Sequence, residues 1–215
     1  MPVTASLSSA TSPSAPASKS NSNSTTNSTN PTGDSFAVLD LDYGVGLFAT
    51  RDIARGSRIF TISGRLQSSP TRYSIQLDES VHIEADDALP DEEMRRRHPW
   101  RFLNHSCDPN ARIQGRSLLA RRAIAAGEQI RFDYTTTEAH MAEPFLCRCA
   151  SDRCVGEVRG FAHLSPEEQS ARASRLAPHL KSLRKVLAQD AKQDAKHDAK
   201  HDAKHDAKQG AQQNA

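Results

Sequence analysis

No run of apolar residues in this 215-residue chain approaches the ~20 that a membrane-spanning helix needs, which argues against a spanning protein. Neither sign of charge is in excess. The 28 Lys and Arg against 26 Asp and Glu leave a formal +2, so a generally basic nucleic-acid binder is not indicated. Apolar residues are 36%, below the ~45–50% common in globular chains. That leaves one modest core and much spare chain. Cysteine is scarce, at four residues, and the spacing of those four carries more information than their number.

The spare chain lies at the two ends. Residues 1–35 are dominated by Ser, Thr, Asn and Pro, and such a segment cannot bury enough apolar surface to offset chain entropy, so a disordered tail is expected. The start lacks the basic residues and apolar run of a secretory signal. Residues 189–215 carry Asp-Ala-Lys five times at a period of four. On a helix this period stacks Asp on Asp and Lys on Lys, which is mildly destabilising, while alanine favours the helix. A weak or partial helix is expected. His197, His201 and His205 would share one face of it, and a solvated tail without a metal is the expected state.

Between the tails the pattern reads as short strands and turns, then a helix. Phe36 to Leu41, Ser57 to Ile62, Tyr73 to Leu77 and Val81 to Ile83 alternate, as strands do. Gly44-Val45-Gly46 reads as a turn before the apolar Leu47-Phe48-Ala49. Arg116 to Ala123 and Gln129 to Tyr134 read as further strands, and Asp91 to Arg97 as a short helix stopped by Pro99. Ser165-Pro166-Glu167-Glu168 has the residues of a helix start. Leu176, Leu180, Leu183 and Leu187 then form a stripe at helical spacing, with Pro178 expected to kink or split the helix.

Four motifs narrow the reading. Arg101-Phe102-Leu103-Asn104-His105-Ser106-Cys107-Asp108-Pro109-Asn110 resembles the Asn-His-Ser-Cys signature of SET-domain lysine methyltransferases. Gly127-Glu128-Gln129-Ile130-Arg131-Phe132-Asp133-Tyr134 is similar to that family's Gly-Glu-Glu-Leu-x-Phe-Asp-Tyr motif. Tyr43-Gly44-Val45-Gly46-Leu47-Phe48-Ala49 is similar to its N-terminal Gly-x-Gly segment. Cys147-Arg148-Cys149 with Cys154 resembles the post-SET cysteine segment. The motifs occur in the family's order. The resemblance implies a mostly β fold of several small sheets with a C-terminal pseudoknot, followed by a C-terminal helix. The expected divisions are a SET domain over 36–146, a post-SET segment over 147–161 and a helical segment over 162–188.

The resemblance further implies methyl transfer from S-adenosylmethionine to a lysine side chain. Tyr134 resembles the catalytic tyrosine. Tyr43, Gly44, Val45, Gly46, Tyr73, Asn104, His105 and Arg148 match cofactor-contacting positions, and Tyr73 also borders the lysine channel. His105 is expected to bind rather than to act as a general base. Phe132, two residues before Tyr134, leaves room that a tyrosine hydroxyl would fill, so di- or trimethylation is expected. Three clustered thiols and one distant thiol are four soft ligands suited to a closed zinc site, and Cys-x-Cys is too tight for easy bridging. By the resemblance Cys107 joins Cys147, Cys149 and Cys154 as ligand, and the zinc is structural. Reduced or redox-active thiols are the alternative.

The expected partner is a protein presenting a lysine, with the chain's own C-terminal repeat as a tethered candidate; a monomer is expected. Arg95-Arg96-Arg97 could touch nucleic acid but reads better as a solvated helix face. A non-catalytic zinc-stabilised module that binds lysine-rich peptides is the alternative function. The segment between Tyr73 and Asn104 is short and no cysteine cluster precedes residue 36, which leaves the substrate open; the small architecture and lack of further domains resemble bacterial members. That implies a cytoplasmic protein, with export as an effector into a host cell as the alternative.

Overall fold

The computed structural model describes residues 34–42, 44–86, 88–193 and 196. Tyr43, nearly all of the N-terminal tail, and His197, His201 and His205 with most of the Asp-Ala-Lys repeat lie outside the described residues.

The domain is framed by several small sheets. Strands β1 (Phe36–Leu41) and β2 (Gly44–Ala49) form an antiparallel hairpin that pairs Leu39 with Gly46. A three-stranded sheet runs in the order β3 (Arg58–Thr61), β9 (Ser117–Ala120), β8 (Ala111–Gln114). Its β8–β9 connection is a two-residue turn. Gly115 takes the first place at φ +56°, where a two-residue hairpin asks for glycine. A second three-stranded sheet orders β4 (Arg65–Gln67), β6 (Val81–Glu84), β5 (Ile75–Asp78). Two short pairs complete the set. Strands β7 (Asn104–His105) and β10 (Arg131–Phe132) run parallel, and β11 (Phe145–Leu146) and β12 (Glu157–Val158) run antiparallel.

The main core lies between these sheets and includes Leu47, Ile62, Ile83, Leu118 and Ile130, all fully buried. Helix α1 (Asp91–Arg97) closes one side with Met94 facing inward. Acidic residues fill its first turn and arginines its last, which complements the helix dipole. Those arginines are engaged with carboxylates: Arg95 with Asp91 and Asp40, Arg96 with Glu93, and Arg97 with Glu93 and Asp86.

The C-terminal segment is split as expected. Helix α2 (Pro166–Arg172) begins with a complete capping box, in which Ser165 accepts from the Glu168 N–H and Glu168 accepts from the Ser165 N–H. A 3₁₀ turn follows over Ala173–Arg175. Helix α3 starts at Pro178 and covers residues 178–193. Leu176 and Leu180 of the stripe pack with Phe161 and Leu164 into a second, smaller core.

Two expectations need correction. Gly44-Val45-Gly46 is strand, not turn, and the chain reverses before Gly44. A Cβ on Gly46 would collide with Gln129 Nε2 and come within 3.3 Å of Asn104 Nδ2, so glycine serves close approach there rather than a bend. The strand expected over Gln129 to Tyr134 shrinks to Arg131–Phe132. Asp133 accepts hydrogen bonds from the Thr135 N–H and hydroxyl, and that local turn starts a 3₁₀ segment at Tyr134.

Candidate functional site

Two hollows meet at Tyr134. The larger is a cleft of about 890 Å³ whose walls include Gly44, Val45, Asn104, His105, Phe145 and Arg148. That is within the size range of small-molecule sites. The smaller is a cavity of about 40 Å³ bounded by Ile75, Trp100, Leu103, Phe132 and Glu138. Arg72, Tyr73, Arg101, Leu103, Tyr134 and Met141 border both.

Parallel pairing of β7 with β10 builds the junction, because it sets Asn104 beside Arg131 and His105 beside Phe132. Asn104 donates from Nδ2 to the Val45 carbonyl at 2.9 Å, which ties β7 to β2 across the floor of the cleft. His105 Nδ1 accepts from the Tyr134 N–H at 3.2 Å, so the ring proton sits on Nε2, which faces Cys107 Sγ at 3.3 Å. Burial lowers the His105 pKa to about 4 despite the nearby Asp133 carboxylate, so the ring is neutral at ordinary pH. With both nitrogens occupied, His105 positions its neighbours and is poorly placed to act as a general base.

The Tyr134 hydroxyl donates to the Leu103 carbonyl. Burial, reinforced by Glu138, raises its pKa, so the phenol keeps its proton. Its ring lies 4.8 Å from Phe132, 5.2 Å from His105 and 5.9 Å from Phe145. Tyr73 stands at the rim, 46% exposed, with the Arg101 guanidinium 4.1 Å from its ring centre.

Behind Tyr134 the C-terminal helices brace its loop. Arg172 donates to Asp133 and to the Thr135 hydroxyl, each at 2.9 Å, and Arg175 reaches Asp133 at 3.4 Å. His179 Nε2 donates to the Thr137 carbonyl at 2.8 Å.

The four cysteines come together beside the cleft. Their sulfurs all lie within 4.8 Å of one another, with Cys107 and Cys147 3.9 Å apart, and none is bridged. A tetrahedral metal with ~2.3 Å bonds to sulfur needs edges of about 3.8 Å, so the set fits a metal with a small inward adjustment. Burial pushes the Cys107 thiol pKa up, and a bound cation would offset that by favouring the thiolate. Ala150, in the same loop, has φ +54° and is the only non-glycine at positive φ among the described residues.

Of the site residues expected from sequence, Gly44, Val45, Tyr73, Asn104, His105, Tyr134 and Arg148 share the large cleft, with Cys147 and Cys149 in its wall. Gly46 lies behind the wall against Gln129 and Asn104, and Phe132 lines only the narrow cavity. Tyr43 is outside the described residues. Sequence reasoning missed Glu138, Arg72, Arg101, Phe145 and the brace from Arg172. Glu138 closes the Thr135-Thr136-Thr137 run, where no spacing marks it; Arg101 lies within the Asn104 motif without an assigned role there, and the others lie outside the motifs.

A family model described as SET domain matches residues 44–135. The histone-lysine N-methyltransferase ash1 of Drosophila melanogaster is 31% identical over 133 residues, 55% of this chain and 6% of that protein. A histone-lysine N-methyltransferase of Yarrowia lipolytica, described as H3 lysine-36 specific, is 30% identical over 170 residues, 68% of this chain and 20% of that protein. The chain thus spans a fifth or less of the length of these two relatives. Among solved structures, the methyltransferase domain of human histone-lysine N-methyltransferase SETMAR aligns with a TM-score of 0.44 at 19% identity, covering 58% of each chain.

Proposed function

We propose, from the match of residues 44–135 to the SET-domain family model, that the protein is an S-adenosylmethionine-dependent protein-lysine N-methyltransferase. The observation that carries this is the junction itself: a cleft large enough for a nucleoside-sized cofactor meets a narrow cavity along a shared wall that includes Tyr134 and Tyr73. A displacement reaction needs donor and acceptor to approach one point in line, and this arrangement orients them.

S-adenosylmethionine, when bound, supplies an electrophilic methyl group on a sulfonium. The backbone of Gly44 and Val45, with Asn104, His105 and Arg148, would hold it in the large cleft. The Tyr134 hydroxyl, its proton committed to Leu103, keeps oxygen lone pairs for the incoming amine and methyl group. The aromatic faces around the junction tolerate a methylated ammonium. A free lysine has a pKa near ~10.4, so exposing neutral amine at pH 7 costs about 4–5 kcal/mol, a cost that the site must offset.

Phe132 is 3% exposed, and its ring packs against Tyr134 inside the narrow cavity. With no hydroxyl there to fill space or hold a water, the site adds two or three methyl groups. Phe132→Tyr is expected to shift the product toward monomethyl-lysine. Cys107, Cys147, Cys149 and Cys154 hold a structural zinc, and a set of four thiolates leaves no open position for chemistry. The substrate is a lysine-bearing protein, with histones the first to try.

The test is transfer of labelled methyl groups to histones and other lysine-rich proteins, with lysine products read by mass spectrometry. Tyr134→Phe should cost about 10²-fold or more in rate while leaving cofactor binding intact. Absence of both transfer and cofactor binding in the wild-type protein would favour the peptide-binding module.

A further inference from the structure

Glu138 is an acid in an expensive place. It is 6% exposed, and among the described residues no cation forms an ion pair with it. A buried carboxylate without a cation is costly, so its position asks for an explanation. Among the described residues it is also the only acidic one in the walls of the narrow cavity.

Its orientation is fixed from strand β5. The Gln76 N–H donates to Glu138 Oε1 at 2.9 Å, and the Thr137 hydroxyl donates to the same oxygen at 3.2 Å. The Gln76 side chain accepts in turn from the Ala139 N–H at 2.8 Å, clamping residues 138–139 to the strand. Among the described residues no hydrogen bond uses Oε2, which leaves that oxygen for the cavity.

Resting on the methyltransferase reading above, we propose that Glu138 is the proton acceptor for the substrate amine. The substrate lysine enters as an ammonium, the cation that this carboxylate lacks. One N–H bond of the ammonium breaks and an O–H bond forms at Oε2. The freed nitrogen lone pair attacks the sulfonium methyl; the new N–C bond forms as the S–C bond breaks, and the bonding pair stays on sulfur as a thioether. The methylated nitrogen is again a cation, and the proton on Oε2 passes to solvent at the mouth beside Tyr73 before the next cycle. Mono- and dimethyl-lysine still carry an N–H as ammonium ions, so the same step serves each further methyl.

The surroundings suit a base that works near neutrality. Burial raises the Glu138 pKa to about 7, against the opposing hydrogen bonds from Gln76 and Thr137. The other charged or titratable groups facing it are Tyr134, Tyr73, Arg72 and Arg101 in the cavity wall. His179 lies behind Thr137, and His82 pairs with Gln76 across the sheet.

The experiment compares wild type and Glu138→Gln on a lysine peptide and on the same peptide with an aminooxy group replacing the lysine amine. That amine is already neutral at pH 7. The variant should lose about 10²-fold or more in kcat on the lysine peptide at pH 7, with the loss shrinking as pH rises. It should keep near wild-type kcat on the aminooxy peptide. An equal loss on both peptides, a loss independent of pH, or a raised KM with unchanged kcat would overturn the assignment. If Glu138→Gln does not fold, wild type alone decides. Its kcat should fall below about pH 7 on lysine and not on the aminooxy peptide, and the same acid limb on both would overturn the assignment. Wild type that methylates neither peptide nor any protein substrate would instead defeat the methyltransferase reading on which this step rests.

Discussion

At the residue scale, chemistry and stability pull against each other at Glu138. Its carboxyl pKa is raised from an ordinary 4.5 to about 7 by burial. Between those values the folded protein binds more protons than the unfolded chain, so stability falls as pH rises through that window. The full penalty, about 3 kcal/mol at ~1.4 per pH unit, is present above pH 7 and absent below pH 4.5. Glu138→Gln should therefore melt well above wild type at pH 8 and close to it at pH 4. Equal melting shifts at both pH values would show that the effect is not ionisation. Ala150 is a second local cost, held at φ +54° in the cysteine loop. Ala150→Gly removes strain of about 1 kcal/mol, partly offset by added freedom in the unfolded chain. Slower metal loss to a chelator would report it.

At the element scale, the C-terminal helices act on the loop that carries Tyr134. The leucine stripe and the Ser165 cap were legible because helical spacing and capping are local patterns. The docking surface was not. Leu176 and Leu180 cover Phe161 and Leu164, while Arg172 inserts its guanidinium against the buried Asp133. Arg172→Ala leaves that carboxylate short of a partner and should cost about 3 kcal/mol, near the low end for a broken buried pair because Arg175 stays 3.4 Å away. Chemical denaturation measures the loss, and kcat should fall with it as residues 133–138 shift. Leu180→Ala should cost about 2–5 kcal/mol through the cavity it leaves, with a smaller effect on kcat. If both variants lower kcat equally at matched stability, the Arg172 contact has no special role in placing Tyr134.

At the scale of the whole molecule, the cysteine cluster joins chain segments that are far apart in sequence. Cys107 follows β7, and the other three precede β12, with Cys147 and Cys149 in the wall of the large cleft. One zinc per chain is expected by elemental mass spectrometry. Chelation should abolish cofactor binding while the main core, which the cluster does not enter, keeps its far-ultraviolet circular dichroism. Full cofactor affinity in metal-free protein would show that the cluster does not shape the cleft.

The chain's own residues determined the motif-bearing segments, the helix start at Ser165 and the split at Pro178, and they pointed to nine of the twenty residues that line the cleft. Those features depend on local pattern or on side-chain types that must recur for the chemistry to work. Tertiary structure decided the rest. Gly44-Val45-Gly46 became strand because it pairs with the preceding strand, and Gly46 leaves room for Asn104 and Gln129, contacts no local pattern encodes. The run into Tyr134 turned early because Asp133 bonds its own loop and Arg172 holds that carboxylate from 39 residues away. Glu138 became a wall of the narrow cavity only because Gln76, on a distant strand, reaches its carboxylate. The burial that gives an ordinary glutamate its unusual proton affinity, and the long-range hydrogen bond that orients it, exist only once distant segments have closed around it.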